Sequence, residues 1–151
     1  MKRNLSWLLL GALLLGAPFP MALAQQAMPE VTMHKDPTCG CCGEWGTYLR
    51  SNGFKVKVIE NRNMDGVKRR LGVPEDLASC HTAEVGGYII EGHLPASSIR
   101  RLLKERPAIL GLSAPGMPQS APGMNIPGNK DPYDVIAFDK MGKTSVYEHI
   151  R

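Results

Sequence analysis

The sequence has 151 residues, 43% of them hydrophobic, and a formal net charge of +4. Two of the basic residues, Lys2 and Arg3, belong to an N-terminal segment that we expect to be removed. Without them, 16 basic residues face 14 acidic ones, and the net charge is +2. A charge this small excludes the basic patch that is typical of nucleic-acid-binding domains. The 127 residues after the first 24 match one ordinary domain.

The N-terminal segment has the pattern of a secretory signal peptide. The two basic residues precede an apolar run of about 13 residues, and the small-x-small signal Ala22-Leu23-Ala24 follows it. An uncleaved membrane anchor is the weaker alternative, because roughly 20 apolar residues are needed to span a bilayer. We therefore expect residues 1–24 to be a signal peptide, residues 25–30 to be a short linker, and the mature chain to be exported and free of the membrane.

The first elements of the mature chain are predicted to form a β-α-β unit. The sequence predicts a strand over residues 31–33, a helix over 42–52 that Thr38 can cap, and a strand over 54–60. Trp45 lies on the apolar face of this helix, so we interpret it as a core residue.

The rest of the chain continues with alternating helices and strands. In order, we predict a short helix closed by Gly72 and Pro74, an apolar strand over 85–90, a helix between Pro95 and Pro107, a loop rich in Pro, Gly and Met over 107–130, and two strands over 133–138 and 144–150. This order predicts a single α/β domain over residues 31–151, of thioredoxin-like type, with a C-terminal β-hairpin.

Three of the four cysteines stand within four consecutive positions, in the sequence Cys39-Gly40-Cys41-Cys42. This is a C-x-x-C frame with an additional cysteine at its third position, at the predicted junction between the first strand and the first helix. Backbone N–H groups and the helix dipole at such a junction favour thiolate over thiol. Thiolates in this position can attack disulfides or bind a metal.

The spacing of these cysteines favours metal ions that share bridging sulfurs. The side chains of adjacent Cys41 and Cys42 diverge by about 100° on a helix, so three thiolates can hardly converge on one tetrahedral ion. A mononuclear zinc site normally uses two separated cysteine pairs, and the sequence has no second pair. Soft thiolate and thioether ligands favour Cu(I). We therefore predict several copper ions, with zinc as the weaker alternative.

The fourth cysteine, Cys80, lies upstream of the strand predicted over 85–90. In the thioredoxin arrangement the loop before that strand faces the C-x-x-C pair, so we expect Cys80 to complete a four-thiol site although it lies 38 residues from Cys42. Two structural disulfides are the alternative. Only the pairing of Cys39 with Cys42 and of Cys41 with Cys80 avoids a strained vicinal bond or a very small loop.

Four segments carry specific motifs: HKDPTCGCCGEW, ASCHTAEVGGYIIEGHLPASSIRRLL, GLSAPGMPQSAPGM and YDVIAF. Together they resemble the CopG-type family of bacterial periplasmic copper-handling proteins, long catalogued as a domain of unknown function. The resemblance covers residues 31–150 and implies a thioredoxin-like fold, copper binding and a role in copper tolerance. By position, it implies that the family's cysteines and motif histidines correspond to Cys39, Cys41, Cys42, Cys80, His81 and His93.

Two histidines and two methionines are candidates for additional ligands or for contacts that support the thiolates. His81 adjoins Cys80, and His93 follows a Glu-Gly turn. Met117 and Met124 end two copies of Ala-Pro-Gly-Met, seven residues apart. A thioether binds Cu(I) without deprotonation, but methionine also serves as an adaptable apolar plug in loops. The two other histidines of the sequence, His34 and His149, are weaker candidates.

The leading hypothesis is a periplasmic Cu(I)-binding protein for copper resistance and homeostasis, with copper ions and other periplasmic copper-handling proteins as its partners. A copper-linked redox role is compatible with such a site, so we leave open whether the protein is an enzyme. The alternative is a thiol-disulfide oxidoreductase in which Cys39 attacks and Cys42 resolves. A third hypothesis is a structural or adhesive exported domain with two disulfides and no metal.

Overall fold

A computed structural model describes residues 28–124 and 126–151. The predicted signal peptide and residues 25–27 of the predicted linker lie outside this part of the chain. The elements run in the order β1 (Val31–Lys35), α1 (Gly40–Ser51), β2 (Val56–Glu60), α2 (Met64–Leu71), a 3-10 turn (Glu75–Leu77), β3 (His81–Val85), β4 (Tyr88–Glu91), α3 (Ala96–Glu105), β5 (Gly111–Ser113), β6 (Tyr133–Phe138) and β7 (Thr144–Ile150). In these two ranges, no helix combines the length and apolar character that crossing a bilayer requires.

The seven strands form one sheet in the order β2-β1-β3-β4-β5-β6-β7. The pairs β1–β2 and β4–β5 are parallel, and the other four neighbouring pairs are antiparallel. With three α-helices packed around this sheet, the described chain is a single mixed α/β domain, so the predicted α/β class is confirmed.

The strand predicted over 85–90 was wrong, because the chain reverses in the middle of that segment. Gly86 and Gly87 have φ angles of 56° and 90° and join β3 to β4 as a tight hairpin. Two consecutive positive φ angles are typical of the two-residue turns that match the twist of antiparallel strands, and glycine adopts them without steric cost. The turn is difficult to recognise in the sequence because it interrupts an apolar run: Val85 before it and Tyr88 after it are both buried.

The segment predicted as a loop over 107–130 contains the short strand β5, which the sequence analysis missed. β5 lies between β4 and β6, with Leu112 opposite Ile90 and Ala137. Three residues are too few to show a period, so only the neighbouring strands reveal this element. β5 also attaches the predicted C-terminal hairpin, β6–β7, to the rest of the sheet.

The first helix begins earlier than predicted, and Thr38 does not cap it. Cys39 is the N-cap residue of α1, and no side chain in the described ranges caps this end. The Thr38 side chain instead donates to Asp36 Oδ1 at 2.6 Å, and the Thr38 N–H donates to the same oxygen at 2.8 Å. These bonds hold the pKa of Asp36 below its ordinary value. The first backbone N–H groups of α1, which lie beside the clustered cysteines, therefore receive no hydrogen bond from a capping side chain.

The sheet is covered by apolar side chains on both faces. The larger cluster joins β1, β3 and β4 to α1 and α3 and includes Trp45, Leu49, Ile99 and Leu102. A smaller cluster on the opposite face includes Val73, Leu77, Ile89 and Phe138. Adjacent residues Ile89 and Ile90 belong to different clusters, as the alternation of side chains along a strand requires.

Gly111 in β5 tests how tightly the centre of the sheet is packed. A Cβ at this position would meet the backbone carbonyl of Ile89 and would lie 2.8 Å from Cζ of Phe138. We expect Gly111→Ala to lower the free energy of unfolding by about 1–3 kcal/mol, because backbone and ring must both shift. Gly43→Ala is the matched control, since a Cβ there meets no atom within 4 Å and α1 gains helix propensity. Equal urea midpoints for the two variants would contradict the packing argument.

Candidate metal site

The pairing of three strands brings distant segments to one edge of the sheet. β1 and β3 are antiparallel with Lys35 opposite His81, so the turn after β1 lies beside the residues that precede β3. β3 and β4 are also antiparallel, with Thr82 opposite Glu91, so the residues after β4 reach the same edge. Since β5 runs parallel to β4, the chain that leaves β5 arrives there as well.

All four cysteines meet at this edge. Cys39 stands at the N-cap of α1, Cys41 and Cys42 lie in its first turn, and Cys80 directly precedes β3. The four Sγ atoms all lie within 4.8 Å of one another. The structure thus brings together the four residues that the sequence analysis selected as metal ligands, through the strand pairing described above.

Two of the four thiols are joined, and two are free. Cys39 and Cys42 form a disulfide, whereas Cys41 and Cys80 are free and partly buried. The sulfurs of Cys39 and Cys41 are 3.6 Å apart. The structure therefore contains one half of the two-disulfide pairing considered above, and the bond between Cys41 and Cys80 is not made.

Two buried histidines adjoin the cysteine cluster. His81 and His93 are both fully buried, and their ring centroids lie 5.0 Å apart. Nδ1 of His81 is 3.3 Å from Sγ of Cys80, and Nε2 of His93 is 3.2 Å from the same sulfur. The other nitrogen of His93, Nδ1, lies 2.7 Å from the carbonyl oxygen of Pro122. Cys80, His81 and His93 thus form a second close group of possible metal ligands.

The Trp45 ring supports these histidines. Its indole Nε1 donates to the carbonyl of Leu94 at 2.9 Å, and its ring centroid lies 4.4 Å from that of His81 and 6.5 Å from that of His93. Trp45 is fully buried, as predicted for a core residue. It also packs against His81 and His93, a contact that the helical pattern alone did not indicate.

Burial keeps these groups uncharged in the absence of metal. Burial, together with charge repulsion from the neighbouring Cys41, raises the pKa of Cys80 to about 12. Burial also holds the pKa of His81 well below its ordinary value, and the nearby His93 and Lys68 add to that effect. The pKa of His93 is lowered by burial, although its bond to the Pro122 carbonyl opposes this shift. Cys80, His81 and His93 are therefore neutral donors in the metal-free protein.

A buried ion pair holds the segment that carries Cys80. The Glu91 carboxylate, which is fully buried, pairs with the ammonium group of Lys68 from α2. Glu91 also accepts bonds from the Ser79 N–H at 2.6 Å and from the Thr82 hydroxyl at 2.6 Å, and Lys68 donates to that hydroxyl at 3.1 Å. Because Ser79 and Thr82 flank Cys80 and His81, this network fixes the position of both ligand candidates.

The two copies of Ala-Pro-Gly-Met are placed differently. Met117 has a φ angle of 51°, and 43% of its surface is exposed. In the second copy, Gly123 packs so closely on α1 that a Cβ would lie 2.7 Å from the backbone nitrogen of Trp45. The Pro122 carbonyl of the same copy contacts His93. The second copy, including the backbone of Met124, therefore lies at the candidate site.

The weaker histidine candidates lie away from the cysteines. His34 on β1 pairs with Glu84 at 3.1 Å, and His149 on β7 pairs with Asp134 at 2.6 Å at an exposed position. Neither belongs to the groups of possible metal ligands found in the described part of the chain.

Comparison with solved structures identifies the family. Two structures named "Copper resistance protein copG", in Form 1 and Form 2, are each 40% identical to this chain. The alignments cover 81% and 82% of this chain and 97% and 99% of the matched chains, with TM-scores of 0.76 and 0.78. The chain belongs to the CopG family of copper resistance proteins. A comparison with curated protein sequences gives no match.

The family model described as "Protein of unknown function, DUF411" matches residues 77–124. In this CopG family member, that segment contains Cys80, both buried histidines and both Ala-Pro-Gly-Met copies, but not the three clustered cysteines. It also contains Glu91, whose role in the buried ion pair was not predicted from the sequence. A glutamate between two isoleucines and a glycine in an apolar strand is the signal that could have identified it, because a buried carboxylate requires partners.

Removing one partner of the buried ion pair should destabilise the fold. In Lys68→Met, the Glu91 carboxylate stays buried without its counter-charge, so we expect a loss of about 3–5 kcal/mol in the free energy of unfolding. The double variant Lys68→Met/Glu91→Gln should recover part of that loss, because no buried charge remains. Arg101→Met is the control, since it breaks an exposed pair with Glu105 that is worth at most about 1 kcal/mol. Urea unfolding of the wild type and the three variants measures these losses. Equal losses in the free energy of unfolding for Lys68→Met and Arg101→Met would contradict the expected cost of a buried, unpaired charge.

The metal-free protein should lose stability in mild acid. The folded-state pKa values of His81 and His93 lie below the ordinary value of 6.5, so the unfolded chain binds protons that the folded chain does not. Their contribution is present above pH 6.5 and is lost as pH falls from there towards the folded-state pKa values, by at most about 1.4 kcal/mol per pH unit for each histidine. Urea unfolding between about pH 8 and 5 measures this slope. His93→Gln should flatten it, whereas His149→Gln should not, and a flat wild-type profile would refute the assignment.

Proposed function

We propose that this chain is a periplasmic Cu(I)-binding protein that serves copper resistance and homeostasis. Copper is its cargo, held by Cys39, Cys41, Cys42 and Cys80 as a cluster of several ions that share bridging thiolates. The single observation that carries the proposal is the convergence of four sulfurs within 4.8 Å of one another in a member of a copper resistance family. The predicted signal peptide supports the periplasmic location.

The donor set supports copper over zinc. Four thiolates at one edge of the sheet are soft ligands, and the two buried imidazoles nearby are not hard oxygen donors of the kind that Ca²⁺ or Mg²⁺ prefers. Cys41 and Cys42 are adjacent on α1 and point in different directions, so each can bridge a different pair of ions. A shared set of sulfurs suits Cu(I), which accepts low coordination numbers.

In the proposed function, the form of the site with the Cys39–Cys42 disulfide cannot bind copper at all four sulfurs. Binding at all four sulfurs requires that the Cys39–Cys42 bond take up two electrons and two protons from an external dithiol, which itself becomes a disulfide. Copper then displaces the thiol protons. Because the pKa of Cys80 is raised to about 12, binding at neutral pH must release its proton.

We also infer a thioredoxin-like arrangement. The C-x-x-C frame lies between β1 and the N-terminus of α1, and β1 pairs in parallel with β2, which supports this assignment. The position before β3, which holds Cys80, faces the frame as the thioredoxin-like arrangement requires. Of the two methionines, we assign the additional thioether to Met124, because its segment packs against α1.

Thiol-disulfide exchange is the second candidate function, and the Cys39–Cys42 disulfide is the observation that favours it. Cys39 is partly exposed at the N-cap of α1, whereas Cys42 is fully buried. After reduction, an exposed thiolate that attacks the substrate disulfide and a buried thiol that resolves the mixed disulfide are what such an enzyme needs. Turnover of a disulfide substrate by metal-free protein, lost in Cys39→Ser, would favour this function.

Anaerobic titration of the fully reduced protein with Cu(I) tests the cluster. We expect more than one Cu(I) per chain, bound in competition with a strong Cu(I) chelator, with release of protons. Cys41→Ser should lower the number of bound ions, because a bridging sulfur serves more than one of them. Met141→Leu is the control for a soft donor far from the site, since 92% of its surface is exposed. Binding of at most one ion by the wild-type protein would refute the cluster.

A further inference from the structure

We propose that the edge of the sheet opposite the candidate metal site docks on the surface of a bilayer that contains anionic lipids. This basal surface consists of the β3–β4 turn (residues 86–87), residues 104–110 and the β6–β7 turn (residues 139–143). The contact involves no spanning segment. It departs from the expectation that the exported chain is free of the membrane, and it does not rest on the proposed function.

The strand pairing brings the three segments of the basal surface together. β4 runs antiparallel to β3 and parallel to β5, and β6 runs antiparallel to β5, so the starts of β4 and β5 and the end of β6 share one edge. The Leu110 N–H donates to the Phe138 carbonyl at 2.8 Å, and the Arg106 guanidinium donates to the Gly86 carbonyl at 2.6 Å. The cysteines lie at the other end of these strands.

Met141 projects from the basal surface into solvent, with 92% of its surface exposed. The turn that carries it is held by its own hydrogen bonds. Oδ1 of Asp139 accepts from the Met141 N–H at 2.8 Å and from the Lys143 N–H at 2.9 Å, and the Asp139 N–H donates to the Lys143 carbonyl at 3.1 Å. An apolar side chain held out in this way can enter an apolar phase without any rearrangement of the fold.

The charge of the basal surface complements anionic lipid headgroups. Its two acidic side chains are engaged: Asp139 accepts the bonds of its turn, and Glu105 pairs with Arg101 at 2.9 Å. Its exposed basic side chains are Lys104, Arg106, Lys140 and Lys143. Anionic headgroups attract each basic side chain that comes close to the membrane surface.

The basal surface also offers an apolar contact beside these charges. A shallow groove of about 390 Å³ separates residues 108–110 from the tip of the β6–β7 turn. Ile109 and Leu110 on one side of it are partly exposed, and Met141 stands on the other. Apolar side chains with a basic rim are typical of surfaces that bind at the membrane interface. A free anion or an acidic protein segment would use the charges but would leave Met141 in water, so the combination favours a lipid surface.

The chain enters the domain at the same edge. The N–H of Val31, the first residue of β1, donates to the Lys55 carbonyl at 2.8 Å, and Pro29 lies beside the β3–β4 turn, since a Cβ on Gly86 would be 3.3 Å from Pro29 Cγ. The preceding residues, which include the predicted signal peptide, are therefore joined to the domain at the basal surface. In the predicted export this surface is the part nearest to the bilayer, and the candidate metal site faces away from it.

Sedimentation of the exported protein with lipid vesicles tests the charge of this surface. At low salt we expect binding to vesicles of phosphatidylglycerol and phosphatidylethanolamine, no binding to vesicles of phosphatidylcholine, and weaker binding as salt is added. Lys140→Glu/Lys143→Glu should weaken binding by at least about tenfold. Lys130→Glu/Arg151→Glu is the matched control, because it changes the net charge equally at exposed positions on the opposite edge, and it should keep most of the binding. Equal losses in the two variants, or no preference for the anionic vesicles, would overturn the proposal.

Tryptophan fluorescence tests whether the tip of the turn enters the interface. Emission from Met141→Trp should shift to shorter wavelength when the anionic vesicles are added. Met117→Trp is the control, since Met117 is 43% exposed in the loop that leaves β5 at the metal-site edge, and its emission should not shift. Trp45 is buried and contributes the same background to both variants. An unshifted emission from Met141→Trp overturns the docking surface, also where circular dichroism shows that Lys140→Glu/Lys143→Glu does not fold.

Discussion

The antiparallel pairing of β1 with β3 is the constraint on which the candidate site depends. It places Lys35 opposite His81, and so it sets the turn that carries Cys39, Cys41 and Cys42 beside the segment that carries Cys80. A shift of this register by one residue would turn His81 to the other face of the sheet, because successive side chains of a strand point to opposite faces. The ladder of backbone hydrogen bonds thus controls the distance between sulfurs that are far apart in sequence.

Close placement of so many polar donors has a cost, and the surrounding structure offsets it. Glu91 is a buried charge, and three groups compensate it: the Lys68 ammonium, the Ser79 N–H and the Thr82 hydroxyl. A buried ion pair contributes little net stability compared with apolar side chains of the same size. Its more specific effect here is geometric, because it anchors the residues on both sides of Cys80 and His81 to α2 and β4.

The chemistry of the site follows from two opposing influences on its ligands. The N-terminus of α1 turns the positive end of its dipole towards the segment that carries the clustered cysteines, whereas burial keeps Cys80 protonated and both histidines neutral. Cys80 can therefore act as a thiolate ligand only by losing its proton, whereas a neutral imidazole can bind a cation as it stands. Copper occupancy, thiol oxidation and proton release are therefore coupled in the proposed function.

Much of this organisation could be predicted from the sequence, because it rests on local patterns. The period of the apolar residues in α1, α2 and α3, the Gly72 cap and the alternation in β2 are local signals, and the crowding of three cysteines is visible without any structure. The reversal at Gly86-Gly87, the strand β5 and the partners of Glu91 were not predictable in this way. Each depends on residues that are distant along the chain: β5 is a strand only because β4 and β6 flank it. The sequence by itself determined which side chains can bind a soft metal, whereas the tertiary structure alone decided that Cys80, His81 and His93 share one pocket, because only strand pairing and burial bring their donor atoms within 4.8 Å of one another.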